Sequence, residues 1–127
     1  MSVLKNQPFT RRVRNAAAGI AHALSGERSL RLQGLALLGV LATLAVLQPG
    51  AVWFALVLVA GGSVLSAELM NTALEALSDA AVPEYSPHIA IAKDVAAGAV
   101  LLASLGAVAV GLLVFVPHLA ARLAVAS

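Results

Sequence analysis

Glu68, Asn71, Glu75 and Asp79 follow one another at intervals of three, four and four residues. On a helix turning about 100° per residue, the last three sit at about −60°, −20° and +20° from the first. Three carboxylates and an amide therefore share one stripe roughly 80° wide. Such a stripe presents hard oxygen donors, the ligand type that suits Mg²⁺, a cation usually held by one or two carboxylates together with substrate phosphates. It also presents carboxylates able to take a proton from a hydroxyl. The sequence contains no cysteine, which removes thiol nucleophiles, iron-sulfur clusters and Cys-ligated zinc. His22, His88 and His118 are too dispersed to suggest an imidazole metal site.

Glu68 follows about 16 apolar residues, roughly 24 Å of helix, which places it near the boundary of a bilayer's hydrocarbon core. An unpaired carboxylate is costly there, so a divalent cation, a proton or a basic side chain must compensate it, Arg28, Arg31 and Lys93 being the candidate cations. A solvated helix end laced with ion pairs would explain Asp79 easily and Glu68 poorly. Glu27 admits two readings: an i, i+4 surface pair with Arg31, or a second carboxylate arm of a metal site built between helices. Lys93 and the adjacent Asp94 also admit two. The lysine can snorkel to the interface, or the pair can hold a nucleotide, lysine on phosphate and carboxylate on a base or ribose donor. Gly61-Gly62-Ser63 lies mid-span and lacks the GxxxxGK[ST] pattern of a phosphate loop.

These residues need elements to carry them. Of the 127 residues, 61% are hydrophobic and 11% charged, against about 25% charged in an average soluble chain. Residues 32–67 and 95–121 contain no Asp, Glu, Lys or Arg, and each block exceeds the roughly 20 residues that span a bilayer core. The expectation is a single all-α integral membrane domain, 1–127, with three transmembrane helices. Residues 1–8 read as a tail. Residues 9–24 read as an N-terminal amphipathic surface helix, with Val13, Ala17, Ile20 and Leu24 on one side and Arg11, Arg14 and nearby Arg12 on another. Ser25 is expected to cap the next helix after a break at Ser25-Gly26. The spans are expected at about 28–48, 51–81 and 88–118, separated by the Gln48-Pro49-Gly50 turn and a loop holding Pro83 and Pro87. Ala99, Ala103, Ala107 and Gly111 recur every fourth residue, suited either to self-association or to packing within the chain.

Six of the eight cations, Lys5, Arg11, Arg12, Arg14, Arg28 and Arg31, precede the first span. Their position beside an apolar block favours a lipid surface and argues against nucleic acid as a partner. The Lys/Arg bias puts the N-terminus on the cytoplasmic side, and alternation brings the loop around Glu84 to the same side. The run preceding the first span is too long and polar for a signal-peptide core, so the N-terminus is expected to stay in the mature protein.

Residues 68–79 read ExxNTAxExxxD and residues 92–100 read AKDxAAGAV, separated by a short loop. With Gly19, Glu27, Leu30 and Arg31 upstream, this arrangement resembles the small prokaryotic diacylglycerol kinase family, including its undecaprenol kinase branch, from about Val13 to Val116. The resemblance implies a homotrimer in the prokaryotic cytoplasmic (inner) membrane, with a surface helix and three spans per protomer and active sites shared between protomers at the cytoplasmic face. It implies transfer of the γ-phosphate of ATP to a lipid alcohol, with Mg²⁺ as the metal. By position, Glu27 and Glu75 would bind Mg²⁺, and Glu68 would act as base on the lipid hydroxyl, with Arg31 also facing the lipid substrate. Glu27, Asn71, Glu75, Asp79, Glu84, Tyr85, Ser86, Lys93 and Asp94 would line the ATP site. Two positions depart from the family pattern: Ser86-Pro87-His88 replaces the usual His-Pro order, and Ile91 stands where many members carry a basic residue. Ala96-Ala97-Gly98-Ala99 is more similar to the undecaprenol kinase form than to the Gly-Ser-Ala-Ala of some diacylglycerol kinases. The expected substrate is diacylglycerol, giving phosphatidic acid, with undecaprenol as the alternative. Phosphoryl transfer suits the stripe, because it needs charge neutralisation and alignment more than covalent chemistry. A small cation-coupled transporter subunit or a structural membrane oligomer are the competing classes.

Overall fold

The computed structural model describes residues 7–126, so Lys5 and all of the expected tail except Gln7 and Pro8 lie outside the described residues. Four helices follow in order: α1 (Phe9–Gly26), α2 (Arg28–Leu47), α3 (Ala51–Ala81) and α4 (Pro87–Ala126). The last three are long and apolar enough to cross a membrane, as the two charge-free blocks, the first split by the Gln48-Pro49-Gly50 turn, predict.

Pro8 ends the approach to α1, and its carbonyl accepts the N–H groups of Arg11 and Arg12. Along α1, Phe9, Val13, Ile20 and Leu24 remain exposed, and only Ala23 is buried where the helix meets α2 and α3. Ser25 does not cap α2. Helix α1 runs on through Ser25 and Gly26, and the Ser25 hydroxyl donates back to the His22 carbonyl. The break falls on Glu27, whose extended backbone separates the two helices. Arg31 secures it, its Nη1 donating to the carbonyls of Leu24 and Ser25 at 2.8 and 2.9 Å. The guanidinium thereby satisfies two carbonyls of the last turn of α1 and sits at the negative end of that helix.

Helix α2 ends at Gln48, which adopts the left-handed conformation (φ 48°, ψ 54°) and donates its N–H to Leu44. Gly50 follows at φ 110°, and its carbonyl receives the first N–H groups of α3, from Trp53 and Phe54. The three-residue turn forces α2 and α3 to run antiparallel. At Gly61 an added Cβ would collide with Leu37 Cδ1, so the missing side chain is what admits the leucine of α2.

The second loop ends at Ser86, whose carbonyl accepts the Ala90 N–H, and Pro87 opens α4. Proline suits the first helical position because its absent N–H would have no intrahelical partner there. The local Ser-Pro order is thus a helix start. Helix α4 does not end near residue 118 as expected but runs through Pro117 to Ala126. Polar side chains brace the segment beyond the proline: His118 Nδ1 lies 2.6 Å from the Val114 carbonyl, and Arg122 Nη2 donates to the Val46 carbonyl at 2.9 Å. Neighbouring elements of this kind are what allow proline inside a membrane helix.

Helices α3 and α4 form the main pair, and α2 leans on α3. The core centres on Leu44, Val57 and Val114, with Trp53 and Phe115 packed against it. Between the three long helices lies a cavity of about 420 Å³, bordered by Gln33, Leu37, Val64, Leu65, Ala107 and Gly111 among others. Ala107 and Gly111 of the small-residue stripe therefore face the interior of the protomer, whereas Ala99 is exposed. The span hydroxyls Thr43 and Ser63 donate to carbonyls four residues back, which hides them from hydrocarbon.

Candidate functional site

The acidic stripe occupies the C-terminal half of α3, and its burial falls along the helix. Glu68 is 7% exposed, Asn71 and Glu75 are half-buried, and the Asp79 side chain is 71% exposed. Eleven residues separate the ends, about 16 Å of helix. The stripe thus carries oxygen donors from an interior position out to the surface.

Each member has a different partner. Glu68 Oε1 accepts a hydrogen bond from the hydroxyl of Ser29, the second residue of α2. Asn71 Nδ2 donates to Glu75 Oε1 at 2.9 Å, one helical turn away. Asp79 forms an ion pair with Lys93 of α4, Oδ1 to Nζ 2.5 Å. None of the cations proposed to compensate Glu68 pairs with it. Arg31 is spent on the carbonyls of Leu24 and Ser25, Lys93 on Asp79, and the group that meets Glu68 is a neutral hydroxyl. The i, i+4 pair with Arg31, one of the two readings of Glu27, is not formed among the described residues, and Arg31 turns to the end of α1 instead. Among the described residues, Asp79 and Lys93 make the one ion pair.

Among the described residues, two buried side-chain oxygens have no partner in the protein, Asn71 Oδ1 and Gln33 Oε1. An orphaned buried acceptor costs the desolvation of that group unless a ligand or water supplies a donor or cation. Asn71 Oδ1 lies on the side chain that already binds Glu75, so an amide oxygen and a carboxylate stand together as hard donors. That donor set fits Mg²⁺, which needs few protein ligands when phosphate oxygens complete its shell. No group of three or more His, Cys, Asp or Glu side chains comes together at metal-binding range among the described residues. Glu27 lies at the α1–α2 break, two residues before the Ser29 that bonds Glu68.

The loop residues are open to solvent. Tyr85 is 85% exposed, Glu84 is exposed, and Ser86 contributes its carbonyl to the start of α4. Asp94 is exposed beside Lys93. Of the residues expected in the site, the fold joins Asn71 to Glu75 and Lys93 to Asp79, and leaves Glu27, Glu84, Tyr85 and Asp94 unjoined to them. Sequence reasoning missed Ser29 and Gln33. They lie four residues apart at the polar start of an otherwise apolar helix, a spacing that puts both on one face.

Comparison with known proteins bears on this arrangement. A family model described as prokaryotic diacylglycerol kinase matches residues 14–115. The chain is similar to a diacylglycerol kinase of Synechocystis sp., 37% identical over 107 residues, a match covering 84% of this chain and 61% of that relative. It is also similar to an undecaprenol kinase of Bacillus subtilis, 33% identical over 110 residues, covering 83% of this chain and 85% of the relative. The chain thus spans about three fifths of the length of the Synechocystis protein.

Proposed function

Given that the chain belongs to the prokaryotic diacylglycerol kinase family, we propose that it is an ATP-dependent lipid kinase that transfers the γ-phosphate of ATP to the hydroxyl of diacylglycerol. The observation that carries this reading is the burial gradient along α3. It sets one poorly hydrated carboxylate, Glu68, at the interior end of a row of donors that reaches water at Asp79. A lipid hydroxyl approaches from the membrane and a nucleotide from the aqueous side, so a phosphoryl transfer site must join both environments.

Glu68 accepts the proton of the lipid hydroxyl as its oxygen bonds to the γ-phosphorus, and ADP departs as the terminal bridging bond breaks. Lys93 exchanges the Asp79 carboxylate for phosphate oxygens, which a flexible ammonium does readily because an exposed pair of this kind contributes little. Asn71, Asp79 and Asp94, with Glu84, Tyr85 and Ser86 of the loop, line the nucleotide. Glu75 and Glu27, aided by the free Asn71 Oδ1, hold Mg²⁺, which supplies charge neutralisation to the transferring phosphoryl group when bound. Arg31 engages the helix break through Nη1 alone, and its other guanidinium nitrogens serve the lipid substrate.

The working unit is a homotrimer in the inner membrane, with the N-terminus and site cytoplasmic. A site completed by a second copy is consistent with the lack, among the described residues of one copy, of any group of three or more His, Cys, Asp or Glu at metal-binding range. Undecaprenol is the second candidate substrate, favoured by Ala96-Ala97-Gly98-Ala99 and by a Bacillus subtilis relative matched over 85% of its length.

The test is transfer of labelled phosphate from ATP by purified protein into defined vesicles holding diacylglycerol or undecaprenol, with and without Mg²⁺. Label in phosphatidic acid is expected, and label in neither lipid overturns the reading. Glu75→Gln and Glu27→Gln are each expected to raise the MgATP requirement about tenfold or more, since each removes a metal-facing charge. Unchanged kinetics in either variant removes that residue from the site.

A further inference from the structure

We infer that Ser29 is a positioning residue for the reaction, holding the Glu68 carboxylate in the orientation from which it takes the substrate's proton. The inference rests on the reading of Glu68 as base given above. Glu68 is buried, and among the described residues Ser29 Oγ is its hydrogen-bond partner. The bond uses Oε1 and leaves Oε2 as the oxygen available to a substrate hydroxyl.

A buried carboxylate must be both anchored and left basic, and the choice of donor decides whether both hold. A lysine or arginine would anchor it but would favour its charged form and blunt it as a proton acceptor. None of the three candidate cations pairs with Glu68 among the described residues: Asp79 and Lys93 make the one ion pair, and Arg31 donates to the Leu24 and Ser25 carbonyls. A hydroxyl donates one bond, fixes the plane of the carboxylate and adds no charge. Ser29 is the second residue of α2, so the donor is carried by a helix start rather than by a loop. The break at Glu27 makes this possible: had α1 run on into α2, the chain would have no helix start at this depth.

Ser29→Ala removes the donor, Ser29→Cys keeps the size with a much weaker donor, and Ser29→Thr keeps the hydroxyl. Full-length protein in lipid vesicles is assayed for phosphate transfer with each variant and with Glu68→Gln. The Ala and Cys variants are expected to lose about tenfold in kcat, the scale of one hydrogen bond to a charged group, with KM for MgATP unchanged. The Thr variant is expected to recover most of that loss. A role in packing alone would not produce this order, since the Cys variant fills the same space. Wild-type kcat in the Ala and Cys variants, alongside an inactive Glu68→Gln, overturns the inference and leaves Glu68 as base. Full activity in Glu68→Gln overturns the reading of the base itself, and the inference with it. Loss of thermal stability in all three Ser29 variants in proportion to activity also overturns it, since Ser29 would then be a packing residue.

Discussion

Where α2 ends and α3 begins, side chains fill space and satisfy one another; at the opposite end of the same helices they leave work undone. At the first end Leu44, Val57 and Val114 are buried against one another. The Trp53 and His118 rings meet nearly perpendicular, 6.0 Å between ring centres, and Arg122 closes on the Val46 carbonyl. At the second, a buried glutamate has a single hydroxyl partner, two buried amide oxygens have none, and Tyr85 and Glu84 stand in solvent. Both ends are built from the same three helices, so the contrast is not one of architecture. One end uses its polar groups to brace helix ends that would otherwise expose carbonyls. The other leaves buried acceptors without a protein partner among the described residues, the kind of exception that a site accounts for.

The contrast can be broken most severely at Glu68. Replacement by glutamine is expected to lower kcat by about 10² to 10⁴-fold, the range of a general base. Thermal stability should hold or rise, because a buried charge met only by a neutral hydroxyl is removed while an acceptor for that hydroxyl is kept. Turnover and melting of the purified protein, measured together, check this, and parallel loss of both would make Glu68 part of the packing. Leu44→Ala at the other end should behave in the opposite way. It opens a cavity in the tightest part of the core and is expected to cost about 2 kcal/mol, while kcat per folded molecule stays near wild type. Denaturation in detergent paired with a rate assay measures both. The smallest effect is expected at Gln48, a non-glycine residue at φ 48°. Gln48→Gly relieves that conformation and should stabilise the fold by about 1 kcal/mol with no change in activity, read as a rise in Tm.

Much of this molecule is written in residue order. Two blocks free of charge, one Pro-Gly turn and the spacing of Glu68, Asn71, Glu75 and Asp79 suffice to place three long helices and the stripe, because hydropathy and helical periodicity are local properties. The motifs around the stripe and around Lys93 were enough to point to the family, which the match over residues 14–115 bears out. What residue order left open were partners and ends. Ser25 carries the side chain of a helix cap, yet the break fell at Glu27, because Arg31 could reach back to the last carbonyls of α1. Pro117 carries the side chain of a stop, yet α4 continued, with His118 and Arg122 anchored on carbonyls of α4 and α2. Charge alone named three cations for Glu68, and the fold gave it a serine from 39 residues away. Each of these outcomes depends on which groups two separate helices bring within about 3 Å of each other. That is a property of their packing, on which the spacing of residues along one helix is silent.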